Sequence, residues 1–315
     1  MRYNLLEQLH IWTDTNLGKK LNKFSYNSEI LAFCAEEYDV DYAFDLSTLS
    51  NPKNVSFVFG SAGIEKKFYK QYFKMSKRTD FWYNFWLYQS AEKIDITNLL
   101  DPINSCLFIS LNYKEHSHRC LMLDILKKHK LVKDNIISWH GVDALTTYKW
   151  KYWKPETMYL TDNFKNTQRQ HRVPLEYNNA LFNLVAESTT DVIFVTEKTW
   201  HAILCKKPFI VLGAVGFHRF LKSKGYKLFE DLIDYSFDQE KNLEKRTEML
   251  VLELKKLEQQ DYNSLYQKIK HVCEYNQSLA FQHIRNQEGV PNLAKQFKYY
   301  QEIIKEAQCR SDISV

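Results

Sequence analysis

A glutamate and a lysine stand side by side in this chain, Glu197-Lys198, where a short apolar run gives way to an amphipathic one. Val192 to Val195 is β-branched and aromatic, the pattern of a buried strand. Thr196 is of a type that caps a helix. Trp200, Ile203 and Leu204 then recur at helical spacing and give that helix one apolar face. Pro208 reads as its end, Phe209 to Leu212 as a second buried strand, and Gly213 as the punctuation behind it. A strand–helix–strand of this length is a right-handed crossover in a parallel sheet. Its first turn falls at the carboxyl edge of the sheet, where open α/β sheets hold ligands. Free backbone N–H groups beside a lysine suit a phosphate there. The plainer reading of Glu197 is an acid favoured by the helix dipole.

A second segment has the same form. Cys106 to Asn112 reads as a strand ending in Asn, Arg119 follows, and Cys120 to Leu126 continues as an amphipathic helix. The planar fork of Arg119 matches phosphate oxygens; the plain alternative for it and for Lys198 is a surface ion pair, worth little. Between strand and helix lies Tyr113-Lys-Glu-His-Ser-His118, rich in charge and histidine. Asn112 and Ser188 are polar groups near expected strand ends, where they could touch a nucleotide. Gly213 and Gly216 flank Ala214-Val215; they permit close backbone approach, and a turn before a helix over 217–224 explains them as well.

The stretch Phe194-Val-Thr-Glu-Lys-Thr-Trp200, followed by Pro208-Phe-Ile-Val-Leu-Gly213, resembles the donor-binding signature of the α-1,3-fucosyltransferases. Glu187-Ser-Thr-Thr-Asp191 is similar to that family's lead-in. The resemblance implies a fold of two facing Rossmann-like domains, the GT-B architecture, with a nucleoside-diphosphate sugar as co-substrate and no other cofactor. It implies that Glu197 holds the nucleotide ribose, with Thr196 and Gly213 beside it, that Lys198 holds the diphosphate, and that Arg119 contacts the donor phosphates. Soluble bacterial and phage relatives are the nearest parallel, since no hydrophobic run here approaches a membrane span of about 20 residues.

Sugar transfer needs a neutralised leaving group, a positioned sugar carbon and a deprotonated acceptor hydroxyl. Lys198 and Arg119 can supply the first without a metal. No Asp-x-Asp precedes the donor segment, and Asp39-Val-Asp41 lies far from it. No motif marks the base: Glu36, Glu37, Asp41, Asp45 and Glu65 are candidates. His116 and His118 are read as loop histidines before they are read as bases.

The whole chain sets the remaining bounds. It has 315 residues, 44% hydrophobic and 15% aromatic, so it can build a large core. Its six scattered cysteines lack zinc spacing and are expected to be reduced thiols. A net charge of +5 tolerates an anionic partner without announcing one. The mixed N-terminus and the lack of an apolar span predict a cytoplasmic protein.

Strands are expected over 38–46, 55–59, 107–111, 136–139, 192–195 and 209–212, a tight turn at 59–63 and a helix over 64–75. The aromatic stretch 81–88 is read as packing, or more sharply as a platform for a sugar or base. Residues 141–173 are expected to form an ordered loop that contacts the acceptor. Beyond 238 the chain is expected to be helical, with a frayed tail from Gln308. The domains are an acceptor-side α/β domain over 1–100, a nucleotide-sugar domain over 101–245 and a helical segment over 246–315. The expected activity is an inverting, metal-independent glycosyltransferase. Its acceptor is a glycan or hydroxymethylcytosine in double-stranded phage DNA; the alternative is a catalytically degenerate nucleotide- or DNA-binding module.

Overall fold

The computed structural model describes residues 7–10, 30–34, 55–59, 78–94, 103–142, 148–158, 160, 173–292, 295 and 298–313. The strand expected over 38–46, the turn at 59–63, the helix over 64–75 and all five candidate carboxylate bases lie outside these residues, apart from the last strand residue Phe59. The chain divides into two compact units, Met1–Glu92 with Val192–Val195 and His283–Val315, and Lys93–Asp191 with Thr196–Gln282. Each holds a four-stranded parallel sheet among the described residues, so the chain is α/β.

In the first unit β1 (Glu7–His10), β2 (Ile30–Cys34), β3 (Val55–Phe59) and β4 (Arg78–Phe81) pair in sequence order. Helix α1 (Phe85–Lys93) follows. Trp82, Phe85 and Tyr88 are buried and meet edge to face. The Tyr88 hydroxyl donates to the carbonyl of His283 at 3.1 Å, and the Asn84 amide to that of Glu288 at 2.9 Å. These rings are core, not an exposed platform.

The second unit runs β5 (Cys106–Lys114), α2 (Ser117–Lys128), β6 (Ile136–Val142), β7 (Ala180–Ala186), α3 (Glu197–Leu204), β8 (Phe209–Leu212), α4 (Phe217–Ser223), α5 (Leu243–Leu257) and α6 (Tyr262–Arg285). The last residues of α6 belong with the first unit, as does α7 (Lys298–Ile313). The sheet order is β6-β5-β7-β8, parallel throughout.

Two expectations about the donor segment are corrected. Val192–Val195 is not a sheet strand; that place belongs to β7, all seven of whose residues are buried. β7 pairs with β5 on one side and β8 on the other, from Asn183 opposite Phe209 to Ala186 opposite Leu212, so 192–195 has no place beside β7; Ile193 makes an isolated bridge, and the segment groups with the first unit. Two asparagines ahead of β7 and Asn183 inside it hide the strand from an apolar-run search. Nor does Pro208 end α3. The helix closes at Leu204 with a Schellman motif: Lys206 takes φ +51°, its N–H donates to the Ile203 carbonyl, and the Lys207 N–H donates to that of Ala202.

The C-terminal region is helical as expected, but α7 continues through Gln308 to Ile313, with Ser311 buried and its carbonyl accepting from Arg285. The five described cysteines are free. Among the described residues no helix is long and apolar enough to cross a membrane.

The loop expected over 141–173 is ordered in its described part, and one carboxylate organises it. Asp124, fully buried on α2, accepts from the backbone N–H groups of Lys151, Tyr152 and Trp153 at 2.7, 2.8 and 3.1 Å, and from the Tyr148 hydroxyl at 3.0 Å. Asp124→Ala orphans these donors at about 1–3 kcal/mol for each that water cannot reach. We expect a loss of at least about 2 kcal/mol in urea unfolding; an unchanged midpoint would remove Asp124 as the anchor.

Candidate functional site

The two central strands of the second sheet send their chains to opposite edges. β5 leads through α2 to β6, and β7 leads through α3 to β8. Right-handed crossovers then place α2 and α3 on opposite faces. The carboxyl ends of β5 and β7 therefore flank a topological switch point, the place where open α/β sheets leave a ligand crevice. The loops that diverge there are 115–116 and 187–196, and six of the seven site residues expected from sequence, all but Gly213, lie in them or within three residues of them.

Glu187 is the hub. It follows β7 directly and is fully buried. Its Oε1 accepts from the Thr196 N–H at 3.2 Å and the Thr199 hydroxyl at 2.6 Å. Its Oε2 accepts from the Thr196 hydroxyl at 2.5 Å and the Ser188 N–H at 3.3 Å. Burial pushes its carboxyl above the usual range, against the opposing pull of Lys198 and the two threonine hydroxyls. One side chain thus ties the end of β7 to the cap and first turn of α3.

Thr196 also caps α3, its hydroxyl accepting from the Lys198 N–H. The Lys198 ammonium donates to Ser188 Oγ at 3.1 Å, Thr196 Oγ at 3.3 Å and Glu197 Oε1 at 2.8 Å. Burial raises the Glu197 carboxyl, but the Lys198 charge and hydrogen bond outweigh it and hold the group below its ordinary value. Ser188, Thr196, Glu197 and Lys198 are therefore one cluster.

Across the switch point, His118 reaches the same hub. Its Nε2 lies 2.6 Å from the Glu187 carbonyl, which can only accept, so Nε2 carries the proton and donates. Burial first, then the neighbouring Arg119 charge, lower its pKa to about 3, and Lys198 pushes the same way. A neutral, buried His118 in the first turn of α2 is a positioning group, neither a loop histidine nor a strong base. Arg119 beside it is 2% exposed, and its Nη1 donates to the Lys114 carbonyl at 3.3 Å. Both cations thus lie within electrostatic reach of one imidazole.

Asn112, near the end of β5, is buried; its amide donates to Ser110 Oγ at 3.1 Å, and its Oδ1 has no hydrogen-bond partner among the described residues. Gly213 is accounted for by packing, since a Cβ there would lie 2.8 Å from the Phe217 ring. Gly216 takes φ +80° and donates its N–H to the Asp238 carbonyl.

The sequence reading did not single out Arg246, in the first turn of α5. It is buried, its Nη1 donates to the Glu240 carbonyl at 2.7 Å, and its Nε is unpartnered among the described residues. Asp238, Glu240 and Asp191 surround it electrostatically. Nothing local in the sequence sets it apart from other helix arginines. Glu187 carried a signal, as an acid placed directly behind seven buried residues.

Comparison with protein-family models, with curated proteins and with solved structures found no match for this chain.

Two results test the hub. Glu187→Gln turns one acceptor oxygen into a donor facing N–H and O–H groups. It should cost about 1–3 kcal/mol in thermal or urea unfolding; an unchanged stability would show that the four bonds are not made. His118, neutral when folded, takes up a proton more readily once unfolded. Stability should therefore fall as pH drops from about 6.5 towards 3. His118→Asn should flatten that part of the profile, and an identical slope in both proteins would refute the assignment.

Proposed function

We propose that this chain is a glycosyltransferase that takes its sugar from a nucleoside diphosphate, with inversion and without a metal ion. In this reading the two α/β units are the facing Rossmann-like domains of a GT-B enzyme, and the second binds the donor. The observation that carries it is the switch point between β5 and β7, flanked by Arg119 on one side and Lys198 on the other. Arg119 is buried in the first turn of a helix that has no acid in that turn, where the dipole is already positive. A diphosphate between the two helix starts would offset both charges and the dipoles behind them.

In this reading the residues divide the work. Lys198, steadied by Ser188, Thr196 and Glu197, neutralises the leaving phosphate as a point charge. Arg119 meets it with a planar fork. Glu197 keeps an ionised carboxylate at the start of α3 to accept from a ribose hydroxyl. Asn112 offers an unused acceptor to the donor. The acceptor hydroxyl, on a glycan or on a hydroxymethylated cytosine, attacks the sugar carbon from the face opposite the diphosphate. Glu187 and His118 touch no substrate; they hold the cations' helices in register.

Lys198→Ala should lower the transfer rate at saturating donor by about 2–4 kcal/mol in activation free energy while leaving the unfolding midpoint near that of the parent. Arg119→Lys should weaken nucleoside-diphosphate binding in calorimetry, because a bidentate contact becomes a point contact. Activity should persist in a strong chelator. Full turnover by the lysine variant, or activity that vanishes with chelator and returns with manganese, would overturn the reading. Binding of the nucleotide sugar with neither transfer nor hydrolysis would leave a binding module in its place.

A further inference from the structure

The loop tied down by Asp124 has an unusual order of side chains, Tyr148-Lys-Trp-Lys-Tyr-Trp-Lys154. Lysines 149, 151 and 154 are exposed, and Tyr152 is 51% exposed. Trp150 and Tyr148 stack edge to face, and Trp150 packs in the same way on Trp139, so these rings are structural. The last turn of α2 lies against the strip: the Lys127 ammonium sits 5.3 Å from the Trp153 ring centroid and that of Lys128 6.0 Å from Tyr152.

From this face we propose that the strip Tyr148–Lys154, with the carboxyl end of α2, is a docking surface for a single nucleic-acid strand. Five exposed lysines can follow a phosphate backbone, and the open face of Tyr152 can take a base. Stacking platforms set among cations are how proteins hold unpaired strands. Lys127, Lys149 and Lys154 form no ion pair among the described residues. Lys128 and Lys151 pair with Glu248 and Glu244 at 2.8 and 2.6 Å; both are exposed pairs that a phosphate can displace. The strip is also ordered beforehand, since three consecutive N–H groups are held by Asp124, so little freedom is lost on binding. An anionic membrane would call for a broad apolar face beside the cations, whereas Tyr152 is the one exposed large apolar side chain of the strip. A strand held unpaired presents its bases unstacked, so a strand-binding face fits an enzyme that acts on a base outside the duplex. The proposal adds an acceptor class to the donor reading, but its test uses no nucleotide sugar, so the two fail separately.

The test is anisotropy on the full chain with a labelled oligothymidine of about 20 nucleotides, at about 50 and 200 mM salt. The same titration is run with a duplex of equal length, with heparin and with phosphatidylserine vesicles. Oligothymidine should bind more tightly than the duplex, with a log–log salt slope of about −0.7 for each phosphate neutralised. The double variant Lys149→Glu, Lys154→Glu should weaken binding at least tenfold and flatten the slope. Tyr152→Ala should weaken it severalfold and leave the slope unchanged. Both variants should keep the parent's melting temperature and nucleoside-diphosphate affinity. The proposal is overturned if oligothymidine does not bind at the lower salt, or if the variants bind as the parent does. Equal affinity for heparin with no effect of Tyr152→Ala overturns it in favour of plain charge attraction. Binding to vesicles but not to the oligonucleotide overturns it in favour of a membrane face.

Discussion

The carboxylate of Glu187 is the constraint on which the donor-side geometry rests. A buried acid is costly unless its lone pairs are used, and here four donors from Ser188, Thr196 and Thr199 use them. Those bonds decide where α3 begins and hence where Lys198 points. The backbone carbonyl of the same residue accepts from His118, which decides where α2 begins and hence where Arg119 lies. One residue couples the two helix starts on either side of the switch point.

That coupling explains how two cations can be kept near each other in a largely buried place. Glu197 balances Lys198 directly. The Arg119 guanidinium donates to the Lys114 carbonyl, and its helical turn carries no acid. Burial first, and then the Arg119 charge, keeps the neighbouring imidazole neutral. The Oδ1 of Asn112, at the end of β5, has no hydrogen-bond partner among the described residues.

Much of the second sheet was legible in the residues. β5, β6 and β8 are apolar runs, and α3 has its threonine cap and its apolar face at Trp200, Ile203 and Leu204, all buried. What failed was the strand before the site. Val192–Val195 has the composition of a strand, while Ala180–Ala186 carries an asparagine at its centre and follows two more. Composition reports what a strand tolerates; which segment becomes one depends on whose backbone finds two partners, and β7 finds β5 and β8. The aromatic run at 82–88 was legible as packing for the opposite reason, because rings so dense cannot all face water.

By itself the sequence determined the α/β class, the helix start at Thr196, and the pairing of Glu197 with Lys198, because each depends on neighbours a few residues away. Tertiary structure alone decided that Arg119 and Lys198 stand at the starts of helices on either side of one switch point, since strand order brings β5 and β7 together. It decided that Glu187 is a hub and His118 a neutral donor, because burial and partners 69 residues apart set those roles. It also decided that Asp124, an ordinary helix acid in the sequence, holds a lysine–aromatic strip in place. Local propensity acts along the chain over a turn or two. A carboxylate's hydrogen bonds, a pKa and a switch point belong to groups that only the fold makes neighbours.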